Sequence, residues 1–130
     1  RIIFENHFFV VLIPFWAIWP FEAMIVPKTA QKDILELSDL EVTLFVEAIA
    51  VLTQAYDKLF NCSFPYSSGI HQAPTDGENN AHWHWHMSFY PPLLRSATVK
   101  KFMVGYEMFG SPQRDITAES AAIQLKNLID

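Results

Sequence analysis

Five consecutive residues, His82-Trp83-His84-Trp85-His86, alternate imidazole and indole side chains. Side chains on an extended strand point alternately to its two faces, so a strand would place all three imidazoles on one face and both indoles on the other. A helix would spread them around its axis, and the Pro91-Pro92 pair ends the segment. The run therefore predicts a β-strand with one titratable, metal-competent face and one aromatic face.

The rest of the chain alternates between strand-like and helix-like segments. Apolar runs at residues 2–4, 8–13 and 22–27 predict a three-stranded antiparallel meander. The capping box of Ser38 and Glu41 predicts a helix that continues to about Leu59. Its expected apolar stripe consists of Leu40, Leu44, Ala48, Val51 and Ala55.

Further strands are expected at residues 62–71 and 101–108, with a turn-rich loop over residues 73–80. Thr117 is the expected N-cap of a final helix whose apolar side carries Ala121, Leu125 and Leu128. This order of elements predicts an α+β fold, in which helices pack on one face of an antiparallel sheet. With 130 residues, the chain is expected to form a single domain over residues 1–130.

Composition excludes several classes of function. A net charge of −5 without long runs of one sign gives no broad basic surface for nucleic acid. The apolar stretch at residues 8–21 is interrupted by Pro14 and Pro20, which argues against a membrane span or a signal peptide. A single cysteine, Cys62, fits a reducing compartment, so we expect a cytoplasmic location.

The histidines form a candidate metal site. Same-face neighbours on a strand lie about 6.6 Å apart, so His84 and His86 can share one metal, whereas His82 and His86, about 13 Å apart, cannot. His71 lies across the loop in a predicted adjacent strand and is a natural third ligand. Neutral imidazoles suit zinc or iron. A simpler interpretation is that the histidines are polar surface only.

The same spacing also matches a nucleophilic pattern. Histidines separated by single apolar residues resemble the signature of the histidine-triad superfamily, in which the central imidazole attacks a nucleotide α-phosphate. In this chain that residue would be His84. However, no glycine-rich loop that could bind phosphate adjoins the strand.

The surrounding sequence resembles the C-terminal half of the galactose-1-phosphate uridylyltransferase family, nearly from end to end. The matching segments are Pro14-Phe15-Trp16-Ala17, Trp19-Pro20-Phe21-Glu22, Tyr56-Asp57-Lys58-Leu59-Phe60, Cys62-Ser63-Phe64-Pro65-Tyr66-Ser67, Phe89-Tyr90-Pro91-Pro92-Leu93-Leu94-Arg95-Ser96-Ala97-Thr98-Val99 and Lys101-Phe102-Met103-Val104-Gly105-Tyr106-Glu107-Met108.

The resemblance implies a histidine-triad-like fold and a part in galactose metabolism. Family members exchange UMP between UDP-glucose and galactose 1-phosphate, through a uridylylated histidine in a His-Pro-His-Gly-Gln motif of their first half. These 130 residues lack that motif, so no catalytic residue is expected in this chain, and we expect it to be inactive alone and a piece of a longer protein.

By the same resemblance, the second half supplies hexose-phosphate contacts to the active site of the partner subunit in a homodimer. The residues that match these contacts are Lys101, Phe102, Tyr106, Glu107 and Gln113. A lysine can neutralise phosphate, and carboxylate and amide groups can hydrogen-bond sugar hydroxyls.

The family's structural iron or zinc site uses three histidines of this half and one carboxylate of the other. His71 and His86 match two of the histidines, but Ser88 stands where the third is expected, and His84 is the candidate substitute. We therefore expect the isolated chain to bind metal weakly or not at all. Two alternatives stay open: a free-standing nucleotide-binding or nucleotide-hydrolysing domain that uses His84, and a metal-binding interaction module.

Overall fold

The computed structural model describes residues 1–91, 109–110 and 116–129. In chain order, the elements are β1 (Ile2–Glu5), β2 (Phe9–Leu12), β3 (Ala23–Pro27), a 3-10 helix (Ile34–Glu36), α1 (Asp39–Leu59), β4 (Ser67–His71), β5 (His86–Tyr90) and α2 (Ala118–Lys126). Neither α1 nor α2, nor any other helix in these residue ranges, is long and apolar enough to cross a membrane.

The five strands form one antiparallel sheet in the order β1-β2-β3-β5-β4. The first three strands are the predicted meander, which is confirmed. The fifth strand lies between β3 and β4, with Phe89 opposite Ala23 on one side and Ser68 on the other. Among the described residues, this arrangement leaves β4 at the edge of the sheet, and it brings His71 opposite His86.

The long helix begins where the capping box predicts. The Ser38 hydroxyl accepts a hydrogen bond from the Glu41 amide, and the Glu41 carboxylate accepts one from the Ser38 amide. The Ser38 hydroxyl also donates to the Glu41 carboxylate at 2.7 Å, and this hydrogen bond, followed by the one from the Ser38 amide, lowers the pKa of Glu41. The predicted apolar stripe was partly wrong, because Leu40 is 59% exposed. The side chains of α1 that are buried form a stripe that includes its two aromatic residues: Phe45, Ala48, Leu52, Ala55 and Tyr56.

The core lies between one face of the sheet and both helices, as expected for the predicted α+β fold. Thr117 caps α2, whose buried residues Ala121 and Leu125 pack in the same cluster as Leu52 of α1 and Phe9 of β2. The larger side chains Trp85, Tyr56 and Phe89 complete this cluster and are fully buried. Their positions connect the core to the segments that carry the histidines.

Two predicted strands are shorter than expected. Residues 62–66 are irregular, and the strand begins only at Ser67. Residues 82–85 lie in a turn and an irregular segment, and of the histidine run only His86 belongs to a strand. The reason is that the neighbouring strands stop at this level: β3 ends at Pro27, which has no backbone N–H, and β4 ends at His71. The strand predicted at residues 101–108 lies outside the described residues.

Candidate functional site

The candidate site is a pair of histidines at the edge of the sheet. His71 ends β4 and His86 begins β5, and the two residues are direct partners in the antiparallel register. Their rings stack with 5.0 Å between centroids and 17° between planes. The His71 side chain is exposed and that of His86 is half-buried. The strand pairing therefore places two imidazoles side by side on an accessible surface, as predicted for these two residues.

Hydrogen bonds define which ring nitrogens remain available. Nδ1 of His86 lies 3.2 Å from the backbone carbonyl oxygen of His84, and Nε2 of His84 lies 2.7 Å from that of Pro27. A carbonyl oxygen only accepts hydrogen bonds, so each of these nitrogens carries the proton. The neutral His86 ring consequently keeps a lone pair on Nε2, the atom that can bind a metal, and that of His84 keeps one on Nδ1.

The tryptophans hold this segment in place from the core side. Trp85 is fully buried and lies against Phe45 and Phe9, with ring centroids 5.1 and 6.0 Å away. Trp83 is half-buried against the same core, whereas His82 and His84 are exposed. The predicted separation of indoles and imidazoles is therefore found, although the backbone that produces it is not a strand at residues 82–85.

Sequence reasoning missed two groups that position the segment. The backbone amide of Trp85 donates to the carbonyl oxygen of Gln31 at 2.9 Å, and its indole N–H donates to the side-chain oxygen of Gln31 at 3.3 Å. The second group is the Pro27 carbonyl, which accepts from His84. Both lie more than fifty residues away along the chain, and no local pattern marks either of them.

The loop between the two histidine segments is ordered by a carboxylate. Asp76 accepts hydrogen bonds from the Glu78 amide and the Asn80 side-chain amide, both at 3.0 Å. These hydrogen bonds, the Glu78 bond first, lower the pKa of Asp76. Gly77 has a φ of 82°, which favours glycine at the tip of the loop. The predicted turn-rich loop is confirmed, and it returns the chain to the sheet beside the strand it left.

The pair supplies only part of a metal site. Structural zinc sites are usually four-coordinate. The described residues contain no group of three His, Cys, Asp or Glu side chains that could hold a metal ion. His84 is held toward Pro27 and is not brought into such a group with His71 and His86, and Ser88 on β5 is buried. Further ligands would have to come from outside the described residues.

The predicted hexose-phosphate contacts, Lys101, Phe102, Tyr106, Glu107 and Gln113, all lie outside the described residues. They follow β5 in the sequence. Their roles stay predictions.

Comparison with known proteins identifies the family. Residues 1–130, the whole chain, match the family described as "Galactose-1-phosphate uridyl transferase, C-terminal domain". The chain belongs to this family. Among curated members, galactose-1-phosphate uridylyltransferase of Haemophilus influenzae is 56% identical over 128 residues, which are 98% of this chain and 37% of that protein. The chain thus spans little more than a third of that relative's length.

Solved structures agree with this membership of the galactose-1-phosphate uridyl transferase family. A structure titled "Structure of uridylyltransferase" has a TM-score of 0.87 and 30% identity, and the match covers 98% of this chain and 40% of that one. A zinc-bound histidine triad family protein from Mycobacterium smegmatis has a TM-score of 0.58 at 18% identity, over 98% of this chain and 81% of its own. The second likeness shows the fold alone, and confirms the predicted histidine-triad-like architecture.

Proposed function

We propose that this chain is the C-terminal domain of an active uridylyltransferase that exchanges UMP between UDP-glucose and galactose 1-phosphate. The observation that carries the proposal is the match of all 130 residues to the C-terminal domain family. Because the His-Pro-His-Gly-Gln motif does not occur in these 130 residues, the nucleophile would belong to a preceding domain. The single free cysteine, Cys62, supports a cytoplasmic location as a further part of the proposal.

The chemistry proposed for this domain is substrate binding rather than nucleophilic attack. The ammonium group of Lys101 would neutralise the hexose phosphate, and Glu107 and Gln113 would hydrogen-bond the sugar hydroxyls. Phe102 and Tyr106 would contact the sugar ring. Such contacts orient the phosphate oxygen that accepts UMP from the histidine, and orientation can contribute a large part of a rate enhancement.

The proposed metal role is structural. His71 and His86 would supply two imidazole nitrogens for zinc or iron, and the remaining ligands would come from the preceding domain. The support is the free Nε2 of His86 and the stacked position of His71 beside it. A metal bound in this way would join the two domains and would take no part in proton or phosphoryl transfer.

The proposal is tested by steady-state kinetics on the full-length protein with UDP-glucose and galactose 1-phosphate. Because a charge-assisted hydrogen bond is worth about 1.5 to 3 kcal/mol, Lys101→Ala is expected to lower kcat/KM for galactose 1-phosphate by roughly 10- to 100-fold. The neighbouring Lys100→Ala is the matched control and is expected to leave it nearly unchanged. Equal losses in both variants would contradict the assignment of Lys101.

A mixing experiment tests whether the contacts act across a homodimer. A variant without the nucleophilic histidine is expected to be nearly inactive, and the Lys101→Ala variant is expected to be roughly 10- to 100-fold less efficient. Mixed subunits should regain activity if each active site takes its nucleophile from one subunit and Lys101 from the other. No recovery after verified subunit exchange would restrict the contacts to a single subunit.

A labelling experiment separates the proposal from a free-standing nucleotide-binding domain. Incubated with uracil-labelled UDP-glucose, the isolated chain is expected to retain no acid-labile label. The Nε2 of His84 already donates to Pro27, which leaves only Nδ1 for an attack on phosphate. Covalent label that disappears in His84→Ala would overturn the proposal in favour of a chain that is active alone.

A further inference from the structure

Three apolar side chains are exposed on the connection between β2 and β3, at the opposite end of the sheet from the histidine pair. Phe15 is 78% exposed, Trp16 is 65% exposed and Ile18 is 37% exposed. Single exposed apolar residues are ordinary, but adjacent aromatic residues on one loop form the kind of patch that marks a contact surface. We call these three residues the aromatic surface.

The loop that carries the aromatic surface is firmly held. One carboxylate oxygen of Glu22 accepts hydrogen bonds from the amides of Ile18 and Trp19, at 3.0 and 3.3 Å. The hydroxyl of Tyr56 donates to the carbonyl oxygen of Phe21 at 2.6 Å. Two prolines, Pro14 and Pro20, further restrict the backbone of the loop.

Holding the loop in this conformation has an energetic cost. Phe21 has a φ of 61°, a left-handed conformation that is unfavourable for a residue with a bulky side chain. Glu22 is only 6% exposed, and burying a carboxylate destabilises the folded state unless the carboxylate is hydrogen-bonded. The chain therefore uses strained and buried polar groups to present Phe15 and Trp16 at the surface. Strained backbone conformations of this kind are concentrated at functional sites.

The beginning of β1 lies directly beside the aromatic surface. The carbonyl oxygen of Arg1 accepts a hydrogen bond from the Ile13 amide at 3.0 Å, which places the start of β1 next to the end of β2. The guanidinium of Arg1 lies 4.7 Å from the centre of the Phe15 ring and also donates to Glu119 of α2. The start of β1 therefore lies next to the beginning of the loop that carries Phe15, and the Arg1 side chain contacts the Phe15 ring.

The length of the relatives indicates a candidate occupant of that position. This chain matches the C-terminal domain of its family and covers 37% of the Haemophilus influenzae relative, so most of that protein lies outside the matched part. A preceding domain would be joined to β1 and held at high local concentration beside the aromatic surface. Domain interfaces within one chain typically bury about 600 to 1,500 Å², and aromatic side chains are frequent anchors in interfaces.

We propose that the aromatic surface is the docking site for the domain that precedes this one in the same polypeptide. Phe15 and Trp16 would insert into an apolar surface of that domain, and Arg1, already paired with Glu119, would line the edge of the contact. The inference rests on one part of the proposed function, namely that the chain is the C-terminal domain of a longer protein. It does not depend on the enzymatic activity.

Hydroxyl-radical footprinting of the full-length protein tests the proposal directly. Phe15 and Trp16 are expected to be labelled several-fold more slowly in the native protein than in the denatured one. Leu35, which is 88% exposed on the 3-10 helix, is the internal control and should be labelled at a similar rate in both. A ratio of native to denatured labelling rate for Phe15 and Trp16 as high as that of Leu35 would overturn the proposal.

Two other occupants give different results. Protection that disappears when the protein is diluted to monomers would identify a second copy as the occupant. Protection that appears only after UDP-glucose or galactose 1-phosphate is added would identify a ligand. Either result overturns the docking of a preceding domain, whereas protection that is independent of concentration and ligand supports it.

A double variant provides a second measurement. Phe15→Ser with Trp16→Ser in the full-length protein is expected to split one thermal unfolding transition into two, because the domains lose their contact. Leu35→Ser is the matched control and should keep a single transition. A single transition in the double variant contradicts the proposal. Transferase activity is measured in parallel on the unsubstituted protein, so an inactive protein with a protected surface would refute only the proposed function.

Discussion

The two ends of the sheet expose functional side chains in opposite ways. At one end, His71 on β4 and His86 on the neighbouring β5 place their rings side by side, and the described residues give them no third metal ligand. At the other end, Phe15 and Trp16 are presented by a loop that buried groups, Glu22 and Tyr56, hold in one conformation. The described residues of the histidine end do not complete a metal site, whereas the aromatic end exposes its side chains on a loop held in one conformation.

Each end is nevertheless connected to the core by one large aromatic residue. Trp85 packs against Phe9 and Phe45 below the histidines. Tyr56 stacks on Phe64, with 5.1 Å between ring centroids, below the loop that carries the aromatic surface. The two anchors differ in what they hold: Trp85 packs in the core and hydrogen-bonds to Gln31, whereas the Tyr56 hydroxyl bonds to the strained backbone of Phe21.

The largest effect is expected from removing the anchor of the histidine end. Trp85→Ala should lower the free energy of unfolding by about 3 to 5 kcal/mol, because it leaves a cavity beside Phe9 and Phe45. The measurement is urea denaturation followed by circular dichroism. His82→Ala, in the same run but exposed, is the control and should change the free energy by less than about 0.5 kcal/mol. Similar losses of unfolding free energy in both variants would show that the buried indole of Trp85 contributes no more to stability than the exposed imidazole of His82.

At the aromatic end, Tyr56→Phe should lower the free energy of unfolding by about 1 to 3 kcal/mol, because the buried Phe21 carbonyl loses its donor. Burial, followed by the charges of Glu22 and Tyr66, raises the pKa of Tyr56 well above its usual value. The folded state therefore favours the protonated phenol, and this stabilisation is present below about pH 10 and is lost as the pH rises further.

Alkaline denaturation checks the sign of this effect. The unsubstituted chain should lose stability above about pH 10 more steeply than Tyr56→Phe, which lacks the titrating group. Tyr90→Phe is the control, since Tyr90 is 39% exposed and is not among the groups that shift the pKa of Tyr56. The same pH dependence in the unsubstituted chain and in Tyr56→Phe would assign the alkaline loss to other groups.

The sequence predicted those features that depend on neighbouring residues. Ser38 and Glu41 form the expected capping box, and Thr117 caps the last helix, because both interactions are local. The inward indoles and outward imidazoles of residues 82–85 follow from hydropathy, which decides burial in any extended or irregular segment.

What could not be predicted depends on distant parts of the chain. The strand of residues 82–86 is short because β3 and β4 end at Pro27 and His71, and neither end is visible in the run itself. The buried stripe of α1 follows Phe45 and Tyr56 because these rings fill the core, a choice that helical spacing leaves open. Glu22 had a visible signal, a single carboxylate in an apolar stretch, whereas Gln31 had none.

The smallest effect on stability is expected at the histidine pair, where a substitution should change metal binding rather than the free energy of unfolding. His71→Ala should change the free energy of unfolding by less than about 0.5 kcal/mol, because the exposed ring contributes little packing. The same substitution should weaken the binding of added Zn²⁺ by about tenfold or more, because it removes one of two paired imidazoles. Isothermal titration calorimetry of the isolated chain measures this affinity.

His84→Ala is the matched control for that experiment, since its Nε2 donates to Pro27 and the ring is not grouped with the pair. It should leave the affinity for Zn²⁺ close to that of the unsubstituted chain. Elemental analysis of the purified chain is expected to show little zinc or iron, because two imidazoles leave the four positions of a structural site half filled. Near-stoichiometric metal that is lost in His84→Ala would show instead that His84 completes the site. The histidine end would then bind metal without ligands from another domain.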